Sequence, residues 1–500
     1  MKNPSLKPVS NSSPAQATKA DSKKVTLVLD SYSRSRHQLS FSYWLNDLRF
    51  TDSYWYDTVN FYWLEERYGK AQMEKIYFHL LAFEAMKAAC LKPDLFDLGQ
   101  FSHYYTEEFD ELWHEVFCKI YSQWRYENDL PLYKGPSIVK QEQAHNVTKE
   151  APLTPIKGET DILVCSGGGK DSLVVYKLLE KAGIPFSSYS YAGTIYGSIE
   201  KQFSLIESLL THVKPIRVHR NYGYGDYLGT PVAQLHPEYG VKFIQLWEHF
   251  VPPPTALFSI LPIALQYGYS DIIVGNERSA DKGNLIWDKT GEEINHQWSK
   301  TVENDYLIAN YVKSELVSGL NYYSLLKPIY DPTIFSLLRQ NSHALKDTHS
   351  CNVGKPWCER CAKCAYVYLS CMAYLPEEQV KSVFKNNLFD LPENQLWYRQ
   401  MLGLEQYKAF ECVGEIEEVL LAFEICKTKG VKGKAIDTFV NEVDSQDYQK
   451  ILEKYTDVDS NYSEMPTWVA QKVLPQMEEA ARLSREFVTS ILESKTGSKI

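Results

Sequence analysis

Two groups of residues have types and spacing that suit chemistry. The first is Ser166-Gly167-Gly168-Gly169-Lys170-Asp171-Ser172, set between an apolar run at 162–165 and a stretch of helical spacing at 172–182. Three successive glycines allow positive φ and close backbone approach, and a helix starting directly after them adds the positive end of its dipole. Such a loop suits phosphate. The two commoner nucleotide loops do not fit: the GxxxxGK[ST] spacing is absent, and GxGxxG fails because Asp171 and Ser172 stand where its later glycines belong. A tight turn with incidental glycines is the plain alternative, and the order strand, loop, helix speaks against it.

The second group is Cys351, Cys358, Cys361 and Cys364, a C-x6-C-x2-C-x2-C run of fourteen residues. Two successive x2 spacings let a chain fold four thiolates around one tetrahedral ion. Zinc is the natural occupant and the site reads as structural, because four thiolates leave no open position for substrate. An iron–sulfur cluster is chemically open as well, since thiolate spacing alone does not select the metal. Cys371 sits close by as a spare core residue. Cys90, Cys118, Cys165 and Cys426 read as core cysteines, and Cys412 is either a proton carrier or a buried cysteine at a helix start.

SGGGKDS resembles the SGGxDS signature of the N-type ATP pyrophosphatases, which cleave ATP between the α and β phosphates and move AMP onto a carboxylate or carbonyl oxygen. That resemblance implies that Ser166, Ser172 and the amides of Gly167, Gly168 and Gly169 hold the β and γ phosphates. Lys170 would then stabilise charge on the departing pyrophosphate and Asp171 approach Mg²⁺. A thiolate cluster behind such a core is also similar to 7-cyano-7-deazaguanine synthase, a much shorter protein without counterparts to the flanking regions here.

Three further stretches narrow the resemblance: Gly275-Asn276-Glu277-Arg278-Ser279-Ala280, Asn295-His296-Gln297-Trp298-Ser299-Lys300, and Phe410-Glu411-Cys412-Val413-Gly414-Glu415. With the glycine loop and Trp357-Cys358-Glu359-Arg360-Cys361-Ala362-Lys363-Cys364 they resemble the UDP-N-acetylmuramoyl-L-alanyl-L-glutamate epimerase family, over most of the chain after Lys24 and most strongly across 162–415. Members use ATP and Mg²⁺ to invert the terminal glutamate of a peptidoglycan precursor. The resemblance implies a nucleotide-linked muramoyl dipeptide as substrate, ATP with Mg²⁺, and a cytoplasmic location.

The chemistry has a reason. A carboxylate resists loss of its α-proton because the enolate would carry two negative charges, and acyl-adenylate formation removes one of them. A base then takes the proton, an acid returns it to the other face, and water releases AMP. Glu277 and His296 are the candidates for this step. Glu277 is otherwise a ribose or Mg²⁺ contact or a salt-bridge partner of Arg278, and His296 otherwise a hydrogen-bonded core histidine. Gly275 belongs with the nucleotide site. Arg278 and Lys300 are candidates for the substrate's carboxylates or diphosphate, with surface pairing as the alternative. The rival activity is an ATP pyrophosphatase that joins an amine or sulfur to an adenylated small molecule or tRNA base; from another class, a nucleotide-binding regulator that lost catalysis is disfavoured by the intact Lys170-Asp171-Ser172.

Elements must place these groups. β-branched and aromatic runs at 25–29 and 38–43 predict strands, and apolar residues at helical spacing across 65–126 predict two amphipathic helices. Residues 136–158, with Pro136, Pro152 and Pro155, read as a linker. Strands at 162–165, 185–191, 216–218 and 271–274 alternate with helices at 172–182, 199–210 and 255–267. This α/β order predicts a doubly wound parallel sheet of the ATP pyrophosphatase type, with ligands at the carboxyl ends of its strands. Helical spacing at 415–426 and 469–492 predicts a helical C-terminal region. The expected organisation is a disordered tail (1–24), an α+β region (25–135), the linker, an ATP pyrophosphatase-like domain carrying the cysteines (159–385) and the C-terminal helices (386–500).

The 500 residues and 44% hydrophobic content suffice for sizeable cores. With 53 basic and 63 acidic residues, a net charge of -10 and no long block of one sign, nothing favours a nucleic-acid partner. The longest apolar run, 256–265, is broken by Ser259 and Pro262 and is too short to span a membrane. The first residues lack a hydrophobic segment, so no secretory signal is expected. Ten cysteines in 500 residues suit a reducing compartment better than a disulfide scaffold.

Overall fold

A computed structural model of the chain describes residues 24–139, 151–193, 198–225 and 252–494. The expected tail, apart from Lys24, and positions 140–150 of the expected linker lie outside the described residues.

The first predicted strands are β1 (Thr26–Arg34) and β2 (Gln38–Leu45), which with β3 (Leu48–Tyr56) form an antiparallel meander. Two short strands follow, β4 (Leu95–Asp97) and β5 (Ser137–Val139); β4 runs parallel to β1 and β5 parallel to β4. The α/β region contributes β6 (Ile162–Ser166), β7 (Phe186–Gly193), β8 (Val218–Gly225) and β9 (Asp271–Val274). A two-stranded ribbon, β10 (Leu285–Ile286) and β11 (Glu293–Ile294), precedes β12 (Asn321–Ser324). The large sheet has the order β12-β9-β6-β7-β8-β3-β2-β1-β4-β5. From β12 to β8 every pairing is parallel, whereas β3 meets β8 antiparallel, with 52–56 opposite 221–225. The sheet is therefore mixed, mostly parallel, and continuous from the N-terminal region into the α/β region.

The central strands are buried on both faces, and their side chains sort by alternation. Leu163, Ile272 and Tyr322 enter one core with Phe83, Trp113 and Phe258, so the N-terminal helices cover that face. Val164, Ile273 and Tyr323 enter a second core with Val174, Phe335, Leu369 and Phe423, so the C-terminal helices cover the other. The helix Lys70–Ala85 stacks Phe83 on Phe258 of the helix Pro252–Tyr267, ring centroids 4.6 Å apart. Beyond the second core the chain is helical, through Ile416–Thr428, Lys434–Glu442, Tyr448–Tyr455 and Thr467–Glu493. Among the described residues no helix is long and apolar enough to cross a membrane.

Two buried histidines tie the N-terminal elements to the rest. His79 places Nδ1 2.7 Å from the Lys75 carbonyl and Nε2 2.7 Å from the Tyr311 hydroxyl. The carbonyl can only accept, so the proton sits on Nδ1 and Nε2 accepts from tyrosine. His219, on β8, lies 2.7 Å from both Thr58 Oγ1 and the Tyr269 hydroxyl. Burial pushes both imidazoles down to about 3 from 6.5, in His219 with help from Arg217. In the unfolded chain both take up protons below about 6.5 while the folded chain does not, so their contribution is present above 6.5 and lost as pH falls toward 3. We expect the unfolding free energy from urea titration to drop between pH 7.5 and pH 5, by up to about 1.4 kcal/mol per histidine per pH unit below the unfolded pKa. A His79→Gln chain should show a shallower dependence, and an equal slope in both proteins would exclude the histidine as its source.

Candidate active site

The glycine loop leaves β6 at Ser166 and enters the helix Lys170–Lys181. That helix has no side-chain cap at Gly169, so its first amides are not taken up by a capping side chain. At Gly168 the chain turns with φ +79°, a conformation open to glycine, and a Cβ there would fall on the His349 ring. Gly275, after β9, packs against the loop: a Cβ would stand 3.2 Å from Val175 Cγ2. These segments end at the carboxyl edge of the parallel strands and border a cavity of about 600 Å³.

Of the residues singled out by sequence, Ser166, Gly167, Gly169, Asp171, Ser172, Gly275, His296 and Lys300 line this cavity. Gly168 lies behind its neighbours as the hinge of the loop. Lys170 is buried, 2% exposed, with Nζ 2.6 Å from Asp171 Oδ1 and 2.9 Å from Asp331 Oδ1. It sits under the cavity, over the Phe335 ring. Glu277 is likewise buried beneath the wall. Burial opposes its charge, yet Lys300, Lys363 and Lys170 hold its carboxyl well below the usual range. Arg278 lies apart from the cavity, stacked over Tyr330 and 3.3 Å from Asp457.

The cavity also gathers residues that no spacing signalled. His296 Nδ1 stands 2.7 Å from Gln123 Oε1, while Gln123 Nε2 donates to Glu127 at 3.1 Å. That orientation of the amide puts the imidazole proton on Nδ1 and leaves Nε2 as the ring's acceptor. Glu411 Oε1 accepts from Asn352 Nδ2 at 2.9 Å and from the Cys412 amide at 2.8 Å. His296, Glu411 and Cys412 bring ligating atoms within 4.8 Å of one another. Burial raises the Cys412 thiol against the pull of Lys300 and Lys363. On Lys300 burial works the other way, but Cys412 and Glu277 keep the ammonium above its ordinary range. Lys363 Nζ donates to the Cys412 carbonyl at 2.6 Å. Cys412, a candidate proton carrier by sequence, lines the cavity; Glu411 stands out only within its motif, Lys363 hides inside the cysteine pattern, and Gln123 sits in an ordinary helix.

The four clustered cysteines converge. Their sulfurs all lie within 4.8 Å of one another, with Cys351–Cys361 and Cys358–Cys364 separations of 3.8 Å. Metal–thiolate bonds of about 2.3 Å in a tetrahedron give sulfur–sulfur edges of about 3.8 Å. Amides of Val353, Gly354, Arg360 and Cys364 point at the sulfurs at 3.3–3.5 Å, which offsets thiolate charge. The cluster thus fits one tetrahedral metal ion, and all ten cysteines are free of disulfides.

A mixed, mostly parallel α/β sheet with a glycine loop and a cavity at its carboxyl edge defines an α/β protein of enzyme-like build. Comparison with known proteins narrows this. The model of the MurL N-terminal domain matches residues 249–325, and that of the MurL C-terminal domain residues 341–454. A UDP-N-acetyl-alpha-D-muramoyl-L-alanyl-L-glutamate epimerase of Salinispora tropica is 34% identical over 331 residues, 62% of this chain and 64% of that protein. Proteins of the same name from a Micromonospora species and from Xanthomonas oryzae are 29% and 26% identical, over 62% and 74% of this chain and 66% and 78% of theirs. The chain spans just under two thirds of the first two relatives' length. The two domain models and the relatives' names agree on the MurL family.

We expect the purified chain to carry one tightly held metal ion, measured by elemental analysis without added metal. Cys361→Ser should lose the ion and aggregate or melt earlier. A stable, metal-replete Cys361→Ser protein would show that the ligand set is wrong.

Proposed function

We propose that the chain inverts the terminal L-glutamate of UDP-N-acetylmuramoyl-L-alanyl-L-glutamate, using ATP and Mg²⁺ and passing through an acyl-adenylate, in cytoplasmic synthesis of peptidoglycan precursors. The observation that carries this reading is that one cavity joins an anion-binding loop to a cluster of proton-transfer groups. Activation and inversion need both. The relatives' names describe the same substrate. Zinc is our assignment for the cysteine cluster, as a structural ion.

In this reading Ser166, Ser172 and the loop amides hold the phosphates, and Asp171, on the wall, faces Mg²⁺. ATP supplies the leaving pyrophosphate and the AMP that masks the carboxylate. Lys170 acts from beneath, as the countercharge that keeps Asp171 and Asp331 in place. Lys300 faces the cavity and stabilises negative charge growing on the acyl oxygen as the α-proton leaves. Glu277 fixes the positions of Lys300, Lys363 and Lys170, and its place behind the wall favours His296 and Cys412 as the groups that meet the proton. Two carriers on opposite faces of one carbon, each at hydrogen-bond reach, stand about 6 Å apart. His296, Glu411 and Cys412 lie within 4.8 Å of one another and take the proton from one face, and solvent water in the cavity returns a proton to the other.

Cys412 and Cys165 on the wall also suit a second reading, sulfur transfer to an adenylated substrate. Burial raises the Cys412 thiol and pushes Cys165 up to about 12, which makes both poor nucleophiles and favours inversion.

Incubation of the chain with ATP, Mg²⁺ and the L,L precursor should give AMP and pyrophosphate in a substrate-dependent way, with D-glutamate on chiral analysis after hydrolysis. ADP as product would sink the proposal. Asp171→Ala and Lys170→Ala should each lower turnover by about 10² or more.

In deuterated water the inverted product should carry deuterium at the α-carbon, because thiol and imidazole protons exchange with solvent. Cys412→Ala and His296→Ala should slow inversion by about 10² to 10⁴. Substrate-dependent pyrophosphate exchange should be far less affected, since the phosphate loop is a separate group of residues. Parallel loss of exchange and inversion would mean that these residues bind substrate instead.

A further inference from the structure

The segment leading into the cysteine cluster carries two polar groups with no hydrogen-bond partner among the described residues. His349 is 1% exposed, and its Nδ1 has no hydrogen-bond partner among the described residues. The buried Oγ of Ser350 has none there either. A buried polar atom left unpaired is costly, so its persistence points to a partner that is not protein.

Both side chains line the cavity beside the glycine loop. The His349 amide donates to the Gly168 carbonyl at 2.9 Å, and the imidazole lies over Gly168 closely enough to exclude any Cβ. A Cβ at Gly169 would stand 2.8 Å from Ser350 Oγ. Two segments far apart in the chain therefore meet face to face. One offers the amides of Gly167 and Gly169, that of Gly168 being turned to Ser166 Oγ, and the uncapped start of the helix Lys170–Lys181; the other offers an imidazole and a hydroxyl. Lys355, from the same segment as His349, is also on the wall. Amide donors, a helix start and a lysine ammonium select an anion over a metal cation.

We propose, building on the ATP reading above, that His349 and Ser350 are polyphosphate ligands which close the glycine loop's site from the opposite side. They bind the β and γ phosphates of a nucleoside triphosphate, or pyrophosphate after cleavage. Cys351 follows Ser350 directly, and its sulfur accepts from the amides of Val353 and Gly354. The cysteine cluster therefore anchors the stem of the segment that carries both ligands.

Calorimetric titration of the full-length, metal-loaded chain with magnesium pyrophosphate, ATP and AMP tests this. His349→Ala and Ser350→Ala should each weaken pyrophosphate and ATP by about ten- to a hundredfold, the effect of removing a hydrogen bond to a charged group. AMP, which lacks the β and γ phosphates, should change by less than about threefold. Metal content by elemental analysis should stay at the wild-type level, and Ser350→Thr, which keeps the hydroxyl, should retain most of the affinity. Unchanged pyrophosphate affinity in both alanine variants overturns the assignment, as does equal weakening of AMP and pyrophosphate or loss of the metal. A wild-type chain that binds none of the three probes overturns the ATP reading itself, and this assignment with it.

Discussion

Charges taken out of water cost several kcal/mol each unless they are paired where they lie, and the floor of this cavity contains a group of them. Lys170 is held between Asp171 and Asp331, while Glu277 faces Lys300, Lys363 and Lys170. The Tyr366 hydroxyl donates to Asp331, and the Asp331 amide donates to Glu418. Burial, and then the nearby Asp331, push the Glu418 carboxyl up to about 8. Three ammonium groups thus meet three carboxylates in one low-dielectric layer. The charges come from the glycine loop, the turn after β9, the turn Trp298–Lys300, the start of the helix Asp331–Arg339 and the helix Ala362–Tyr374. None of these segments can shift alone without leaving a buried charge uncompensated.

That constraint explains why the cavity needs the whole chain. The sheet divides two cores, one built with the N-terminal helices and one with the C-terminal helices, and the active edge lies where both end. The N-terminal region supplies Gln123 to orient His296. The C-terminal region supplies Glu411 and Cys412 just before the helix Ile416–Thr428, whose first turn is tied by a capping box between Glu415 and Glu418. The cysteine cluster lies between these contributions and holds the segment that carries His349, Ser350 and Asn352 against the loop. A cysteine cluster far from any cavity would stabilise only its own loop; here it also sets the cavity wall.

The continuous sheet has a mechanical consequence. Because β3 pairs with β8, the N-terminal meander extends the sheet that bears the loop, instead of resting against it as a separate body. Phe83 on Phe258, and Tyr56 donating to the Ser259 carbonyl at 2.9 Å, fix the same junction through side chains. The Gln123 side of the cavity and the Ser166 side therefore share one scaffold, as a site needs when it places a substrate carbon between groups from both.

Local order along the chain was legible without coordinates. The glycines after 162–165 needed a strand before them and a helix after, and they have both. The spacing of four cysteines implied a common ion, and their sulfurs converge. Alternation and helical period also placed β6, β7, β9 and the helices of the α/β and C-terminal regions, because these signals depend on neighbours within a few residues. The meeting of the meander with β8 was not legible, since a strand carries no mark of the distant strand it will pair with. Nor was the exchange of roles in the site: Lys170 and Glu277, marked by their motifs, went beneath the wall, while Glu411 and His349 reached the cavity. Residue type sets what a side chain can do with a proton or a phosphate. Which side of a turn it faces, and which distant charge it must neutralise, is decided only when the cores close and every buried charge has to find its partner.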